Sequence, residues 1–329
     1  MPSKTVAIFL CTYNGQKYLE EQLNSIRDQS YENWKIWVSD DGSVDETKKL
    51  LEAFQETVGH DRLQIFDGPR SGFAANFLSL ISNIDLSADY SAWSDQDDIW
   101  DKDKLGNAIN WLERQPDTTP ALYCSRTRLI DENGEEIGYS PLFRRPPSFA
   151  NALVQSIAGG NTMVFNHQAR SLFNHMPPDL EIISHDWFAY QLVTASGGRV
   201  YYDPKATLNY RQHGANLVGE NRSLKALFYR LFQLLGGRFH VWNEVNIKAL
   251  KKMDALMTSD NKAILEHFEK AHSGGLISRM SGFFRSGIYR QTIVGNIALF
   301  IATILKNDGQ MKMNGLGLID QTFPRCQHS

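Results

Sequence analysis

Within its first hundred residues the chain repeats one pattern four times: a short apolar run, a polar turn, then helical spacing. Residues 6–11 are continuously apolar, as a parallel strand covered on both faces must be. They close on Thr12-Tyr13-Asn14-Gly15, after which Tyr18, Leu19, Gln22, Leu23 and Ile26 mark one helix face. Residues 34–39 form the second run and end in Asp40-Asp41-Gly42-Ser43. A helix follows with Asp45 as its expected N-cap and Leu50, Leu51 and Phe54 inward. Residues 63–66 are the third run, with Gly68-Pro69-Arg70-Ser71-Gly72 and a helix over about 74–84 behind it. Residues 90–94 are the fourth. Short right-handed crossovers leave such an order one economical solution, an α/β fold with a doubly wound sheet.

Ligands of such sheets bind beyond the carboxyl ends of the strands. Three polar clusters fall there: residues 12–14, residues 40–43, and Asp95-Gln96-Asp97-Asp98 after the fourth strand. Three carboxylates held together raise one another's pKa, and a divalent cation removes that cost. Hard oxygen donors suit Mg²⁺ or Mn²⁺. The plainer alternative is an acidic loop that caps the next helix, with Asp101 or Asp103 near its amino end.

Several functions are excluded. A net charge of −3 gives no case for nucleic acid. Neither a phosphate-binding Gly-x-x-x-x-Gly-Lys-Ser/Thr loop nor a Gly-x-Gly-x-x-Gly turn between strand and helix is present. An EF-hand counted from Asp101 fails because Leu105 and Leu112 occupy ligand positions. A nucleotidyltransferase would want a Gly- and Lys-rich loop where Thr12-Tyr13-Asn14-Gly15 stands. Cys11, Cys124 and Cys326 are too scattered for a disulfide framework or a zinc site, which fits a reducing cytosol. Residues 6–11 are too short for a signal-peptide core, and the best apolar stretch, 292–305, is too short to span a bilayer.

Beyond residue 100 the regularity fades. Residues 121–126 and 162–165 are strand candidates, and Arg144-Arg145-Pro146-Pro147 is an exposed basic loop. His185-Asp186-Trp187 opens a helix running to about Ala195, with Asp186 near its positive end. Residues 206–210 form another strand leading into Arg211-Gln212-His213, whose alternation points Arg211 and His213 the same way.

Cys11-Thr12-Tyr13-Asn14-Gly15, residues 40–45 and residues 94–100 together resemble the family-2 glycosyltransferases of the GT-A fold. His185-Asp186-Trp187 and residues 210–216 resemble the later motifs of bacterial rhamnosyltransferases that build surface polysaccharides. The resemblance covers roughly residues 4–220. It implies a GT-A domain over 1–220, with a nucleotide-sugar half over about 1–115 and an acceptor half over about 116–220. Thr12, Asn14, Asp40, Asp41 and, more loosely, Arg70 match positions that hold the nucleotide. Asp95 and Asp97 match the metal-diphosphate positions, with Asp97 the direct ligand of Mg²⁺ or Mn²⁺. Asp186 matches the general base, and Arg211 and His213 match groups near the diphosphate or metal. Gln96 stands where relatives often carry a small residue. The implied reaction inverts the anomeric configuration. The implied donor is dTDP-rhamnose, with UDP-galactose or UDP-glucose as the rival, and the implied acceptor is a lipid-linked saccharide. A catalytically silent scaffold is the rival from another class, and the intact acids at 95, 97 and 186 speak against it.

Residues 221–329 hold 15 Lys and Arg against 7 Asp and Glu, whereas residues 1–220 hold 19 against 30. In this basic region Leu224, Leu227, Phe228 and Leu231 form one apolar face. Ile277, Met280, Phe283, Phe284, Ile288 and Tyr289 form another, interleaved with Arg279, Arg285 and Arg290. Two expectations follow. The helical appendage either packs on the domain or builds a homodimer, or it rests on anionic lipid with charges outward, at the cytoplasmic face of the inner membrane.

Overall fold

The computed structural model describes residues 4–82, 88–212 and 238–304. His213, the run 224–235 and Cys326 lie outside the described residues. The expected alternation is present as β1 (Val6–Thr12), α1 (Leu19–Arg27), β2 (Trp34–Asp40), α2 (Thr47–Val58), β3 (Leu63–Asp67), α3 (Phe73–Ile81) and β4 (Tyr90–Ser94). These strands lie side by side as β3-β2-β1-β4, all parallel.

β1 is buried along its whole length because both sheet faces are covered. Val6, Ile8 and Leu10 enter one core with Leu19, Leu23 and Ile26 of α1 and Leu51 of α2. Ala7, Phe9 and Cys11 enter the opposite core with Phe77, Leu80 and Ile81 of α3. Each large apolar side chain so buried contributes ~1.5–3 kcal/mol relative to exposure. The period-2 pleat therefore feeds two helix layers from one strand.

Past β4 the sheet becomes mixed. A two-residue strand, β5 (Ile99–Trp100), precedes α4 (Lys104–Leu112). β6 (Ala121–Ile130) forms a hairpin with β7 (Glu136–Tyr139). After α5 (Phe149–Ala152), β8 (Val164–Asn166) runs antiparallel between β4 and β6. α6 (His167–Ser171) and α7 (His185–Ala195) follow, and β9 (Arg199–Arg211) pairs parallel with β6 and antiparallel with β5. The crossover from β6 to β9 thus includes α7, and α7 opens on the expected His185.

Four further helices complete the described chain: α8 (Arg238–Lys252), α9 (Ser259–Ser273), α10 (Leu276–Ser286) and α11 (Ile293–Ile304). They share a core with the sheet domain, in which Phe149, Leu153 and Val154 meet Ile247, Leu250, Leu265, Phe268, Ile288 and Leu299. The basic loop at 144–147 serves as a dock. Arg145 lies 3.9 Å over the Tyr289 ring and donates to Arg290 O at 3.1 Å.

Two of the tail's charges depart from the outward pattern expected of them, while Arg285 is exposed as expected. Arg279 is buried and donates to Ile304 O, while Arg290 donates to Val154 O and is pulled down to about 10 by burial. The apolar side is displayed instead: Ile277 is 86% exposed, Phe284 66% and Ile293 81%. Among the described residues no helix is long and apolar enough to cross a membrane.

Candidate active site

The polar turns after β1, β2 and β4 meet at one edge of the sheet. Asp40 is buried, and its carboxylate is fully engaged. It accepts from Thr12 Oγ1 at 2.9 Å, from Ser43 Oγ at 2.5 Å, and from the N–H groups of Gly42 and Ser43 at 3.2 and 2.9 Å. Thr12 and Asp40 therefore serve each other and fix the loop over them. Asp41 accepts from the N–H groups of Arg70 (2.6 Å) and Gly72 (3.2 Å), which ties the β3–α3 turn to the same edge. Asn14 bridges the first two turns: its N–H donates to Ser43 Oγ and its Oδ1 accepts from Val44 N–H, both at 2.9 Å.

Asn14 and Arg70 have φ of +46° and +55°. Left-handed backbone costs a non-glycine residue free energy. Two of these turns carry that cost.

The acidic loop at 95–98 follows β4. Gln96 grips the β1–α1 turn with both ends of its amide, accepting from Tyr13 N–H at 2.9 Å and donating to Tyr13 O at 3.0 Å. A Cβ at Gly15 would lie 2.3 Å from Gln96 Oε1, so the glycine is what lets the glutamine in. Behind the loop, Arg211 at the end of β9 is 1% exposed. Its guanidinium donates to Asp97 O at 3.1 Å, Glu132 O at 3.2 Å and the Glu21 carboxylate at 2.6 Å. Arg211 thus braces the backbone of the acidic loop.

The carboxylates of this loop sit uneasily. Burial first, then the charges of Asp97 and Asp186, push Asp95 up to about 8. Asp98 is fully buried and raised well above the usual carboxylate range, again by burial and then by Asp97 and Asp95. Asn161 Nδ2 donates to its Oδ2 at 2.5 Å, and its Oδ1 has no partner. Lys104, buried 3.9 Å above the Trp100 ring, is held down to about 7 by burial against the opposing pull of Asp98. These acids would gain most from a cation, and their all-oxygen donor set fits Mg²⁺ or Mn²⁺.

Asp186 reaches the same place from α7. Its Oδ1 accepts its neighbour's N–H, that of Trp187, at 2.7 Å. The Trp187 indole in turn donates to Ala152 O at 2.7 Å and anchors the helix start. Tyr210 feels all four acids: burial, then Asp95, Asp98, Asp97 and Asp186, raises its hydroxyl well above the ordinary value. Acids from the loop after β4 and from the start of α7 are therefore near enough to act on one another electrostatically. His185 packs below, stacked on Phe77 at 4.2 Å and edge-on to Trp93 at 4.7 Å, and burial lowers it to about 4. It is a neutral packing group at neutral pH.

The family profile described as glycosyl transferase family 2 matches residues 7–176, which hold all three turns. The chain belongs to glycosyltransferase family 2. Over 236 residues it is 34% identical to a dTDP-rhamnosyl transferase, RfbG, of Shigella flexneri, covering 68% of this chain and 78% of that protein. It is 28% identical over 108 residues to a putative teichuronic acid biosynthesis glycosyltransferase of Bacillus subtilis, covering 32% and 41%. A crystal structure of Staphylococcus aureus TarS 1–349 in complex with UDP-GlcNAc superposes with a TM-score of 0.50 at 16% identity, over 87% of this chain and 93% of that one. That likeness concerns the fold.

This glycosyltransferase thus places Thr12, Asn14, Asp40, Asp41, Arg70, Asp95, Asp97 and Asp186 around one sheet edge. Gln96, Asn161, Lys104 and Tyr210 are the supporting residues that the sequence reading left without a role. Gln96 carried a signal as an unexpected large residue between two acids, and Tyr210 as the first residue of the matched run 210–216.

Proposed function

We propose that this family-2 glycosyltransferase transfers L-rhamnose from dTDP-rhamnose to a lipid-linked saccharide, with inversion, in the synthesis of a bacterial surface polysaccharide. The observation that carries the reading is the convergence of Asp186 with the acidic loop. The likeness to the Shigella protein supports the choice of donor.

In this reading the nucleotide lies against the edge built by Thr12, Asn14, Asp40, Asp41 and Arg70, with Asp41 nearest the base. Asp97, with Asp95 beside it and His213 as a further donor, would hold Mg²⁺ or Mn²⁺. Such an ion, when bound, neutralises the charge that develops on a departing diphosphate. Arg211 keeps the backbone of Asp97 in position, and its positive charge lies beneath the same loop. Asp186 accepts the proton of the acceptor hydroxyl as that oxygen bonds to the anomeric carbon and the bond to the nucleoside diphosphate breaks. No protein side chain is bonded to the sugar along the way, so the configuration inverts.

The exposed apolar stripes of α10 and α11 support docking at a membrane surface, where a lipid-carried acceptor would be presented. Inward-turned Arg279 and Arg290 shift the weight of that contact from charge to apolar insertion.

The deciding experiment pairs Asp186→Asn with a panel of donors. Turnover of dTDP-rhamnose should fall by about 10²–10⁴-fold, the range of a lost general base, while its binding is unchanged. Normal turnover by the variant would overturn the role of Asp186. A preference of the unaltered protein for a UDP-sugar would keep the transferase and replace the donor.

A further inference from the structure

The C-terminal helices carry a second group of metal-type donors, remote in sequence from the acidic loop. His240 and Glu244 are four residues apart on α8, and so project from one side of that helix. His272 reaches them from the last turn of α9. The two imidazole rings lie face to face at 3.7 Å and 17°. His240 Nε2 is 3.7 Å from Glu244 Oε1, and one ligand atom from each of the three residues lies within 4.8 Å of the others.

We propose that His240, Glu244 and His272 bind a transition-metal ion of the zinc type and so pin α8 to α9. Two imidazole nitrogens and one carboxylate oxygen are the donors Zn²⁺ takes, and an ion that prefers only oxygen would not choose them. Donors around a tetrahedral ion at ~2.0–2.1 Å stand roughly 3.4 Å apart, and stacked rings aim their lone pairs side by side, so binding must turn one imidazole out of the stack to bring its nitrogen onto the ion. A helical His–Glu pair by itself needs no ion. What separates this cluster from such a pair is the third donor, brought from another helix to within 4.8 Å of the other two. The histidines are half-buried and Glu244 is exposed, which leaves both an entry path and an open coordination position for water.

The clamp has a direct route to the transferase site. Trp242, two residues after His240, meets Trp187 edge-on at 6.2 Å, and Trp187 follows Asp186. An ion fixing α8 therefore steadies the packing behind the start of α7.

The test uses the full chain, free of any affinity tag, titrated with Co²⁺ and followed by visible absorption. The strong bands of a four- or five-coordinate nitrogen-containing site are expected to saturate at one equivalent, in the unaltered protein and in Asp97→Ala alike. His272→Ala and, separately, Glu244→Gln should weaken binding by at least about tenfold, the smallest loss seen even for outer partners of metal ligands. Circular dichroism checks that each variant is folded, and His240→Gln replaces any that is not. Zn²⁺ should also raise the melting temperature of the unaltered protein. Absence of the bands, their persistence in both folded variants, or their loss in Asp97→Ala would overturn the proposal. Because the Asp97→Ala arm removes the acidic-loop donor, failure here is distinguishable from failure of the proposed transfer chemistry.

Discussion

Two strand ends on either side of β1 treat their carboxylates in opposite ways. At the end of β2, Asp40 is buried and accepts from a threonine hydroxyl, a serine hydroxyl and two backbone N–H groups. At the end of β4, Asp95 is pushed up to about 8, and Asp98 keeps one carboxylate oxygen without a partner. The first arrangement is complete without a ligand, and its product is a loop of fixed shape. The second is poorly satisfied until positive charge arrives. Acidity alone does not distinguish scaffold from ligand site; the count of donors already supplied by the protein does.

The contrast can be broken in three places. Asp97→Ala should give the largest effect, lowering metal-supported turnover by about 10³-fold while leaving the melting temperature near that of the parent. A steady-state assay over a Mn²⁺ series reads it, and full activity would remove Asp97 from the site. Asp40→Ala should behave in the opposite sense. It leaves buried donors of Thr12 and the 42–43 turn unpaired, at about 1–3 kcal/mol for each one that water cannot reach. Chemical denaturation should show that loss, and an unaltered midpoint would mean the network is dispensable.

Asp95→Asn should produce the smallest change, and its sign depends on pH. A carboxyl raised from 3.8 to about 8 on folding binds its proton more tightly in the folded chain. Its contribution is therefore intact below about pH 4 and is lost progressively as pH rises toward 8. The variant lacks that loss. Without metal it should exceed the parent by at least about 1 kcal/mol at pH 8, a figure discounted because the position is partly open to solvent. Saturating Mn²⁺ should reverse the order. Parallel pH curves for the two proteins would contradict the repulsion described here.

Much of this was legible in the chain itself. Residues 6–11, 34–39, 63–66 and 90–94 are apolar runs because strands covered on both faces have no polar side, and each proved to be a strand. The opening of α7 at His185 was equally plain. The supports were not legible, because they join residues far apart in sequence. Gln96 meets Tyr13 across 83 positions, and Asn161 meets Asp98 across 63. Strand alternation gave Arg211 a side of β9 but could not show that its guanidinium binds Asp97 O and the Glu21 carboxylate. For Arg279 and Arg290, composition suggested solvent, whereas both side chains turn to backbone carbonyls of neighbouring elements. Asp45 was expected to cap α2. The helix begins one residue later than such a cap would set, yet Asp45 still accepts the Thr47 N–H at 3.0 Å.

The amide clasp between Gln96 and Tyr13 bears on how such an enzyme could be re-engineered. It makes the turn after β1 and the loop after β4 a single exchangeable cassette, with Gly15 as the notch that receives the glutamine. Transplanting residues 95–98 alone into a relative with a bulkier residue at the notch would splay both loops. Transplanting residues 12–16 together with 95–98 would carry the fit along with the chemistry.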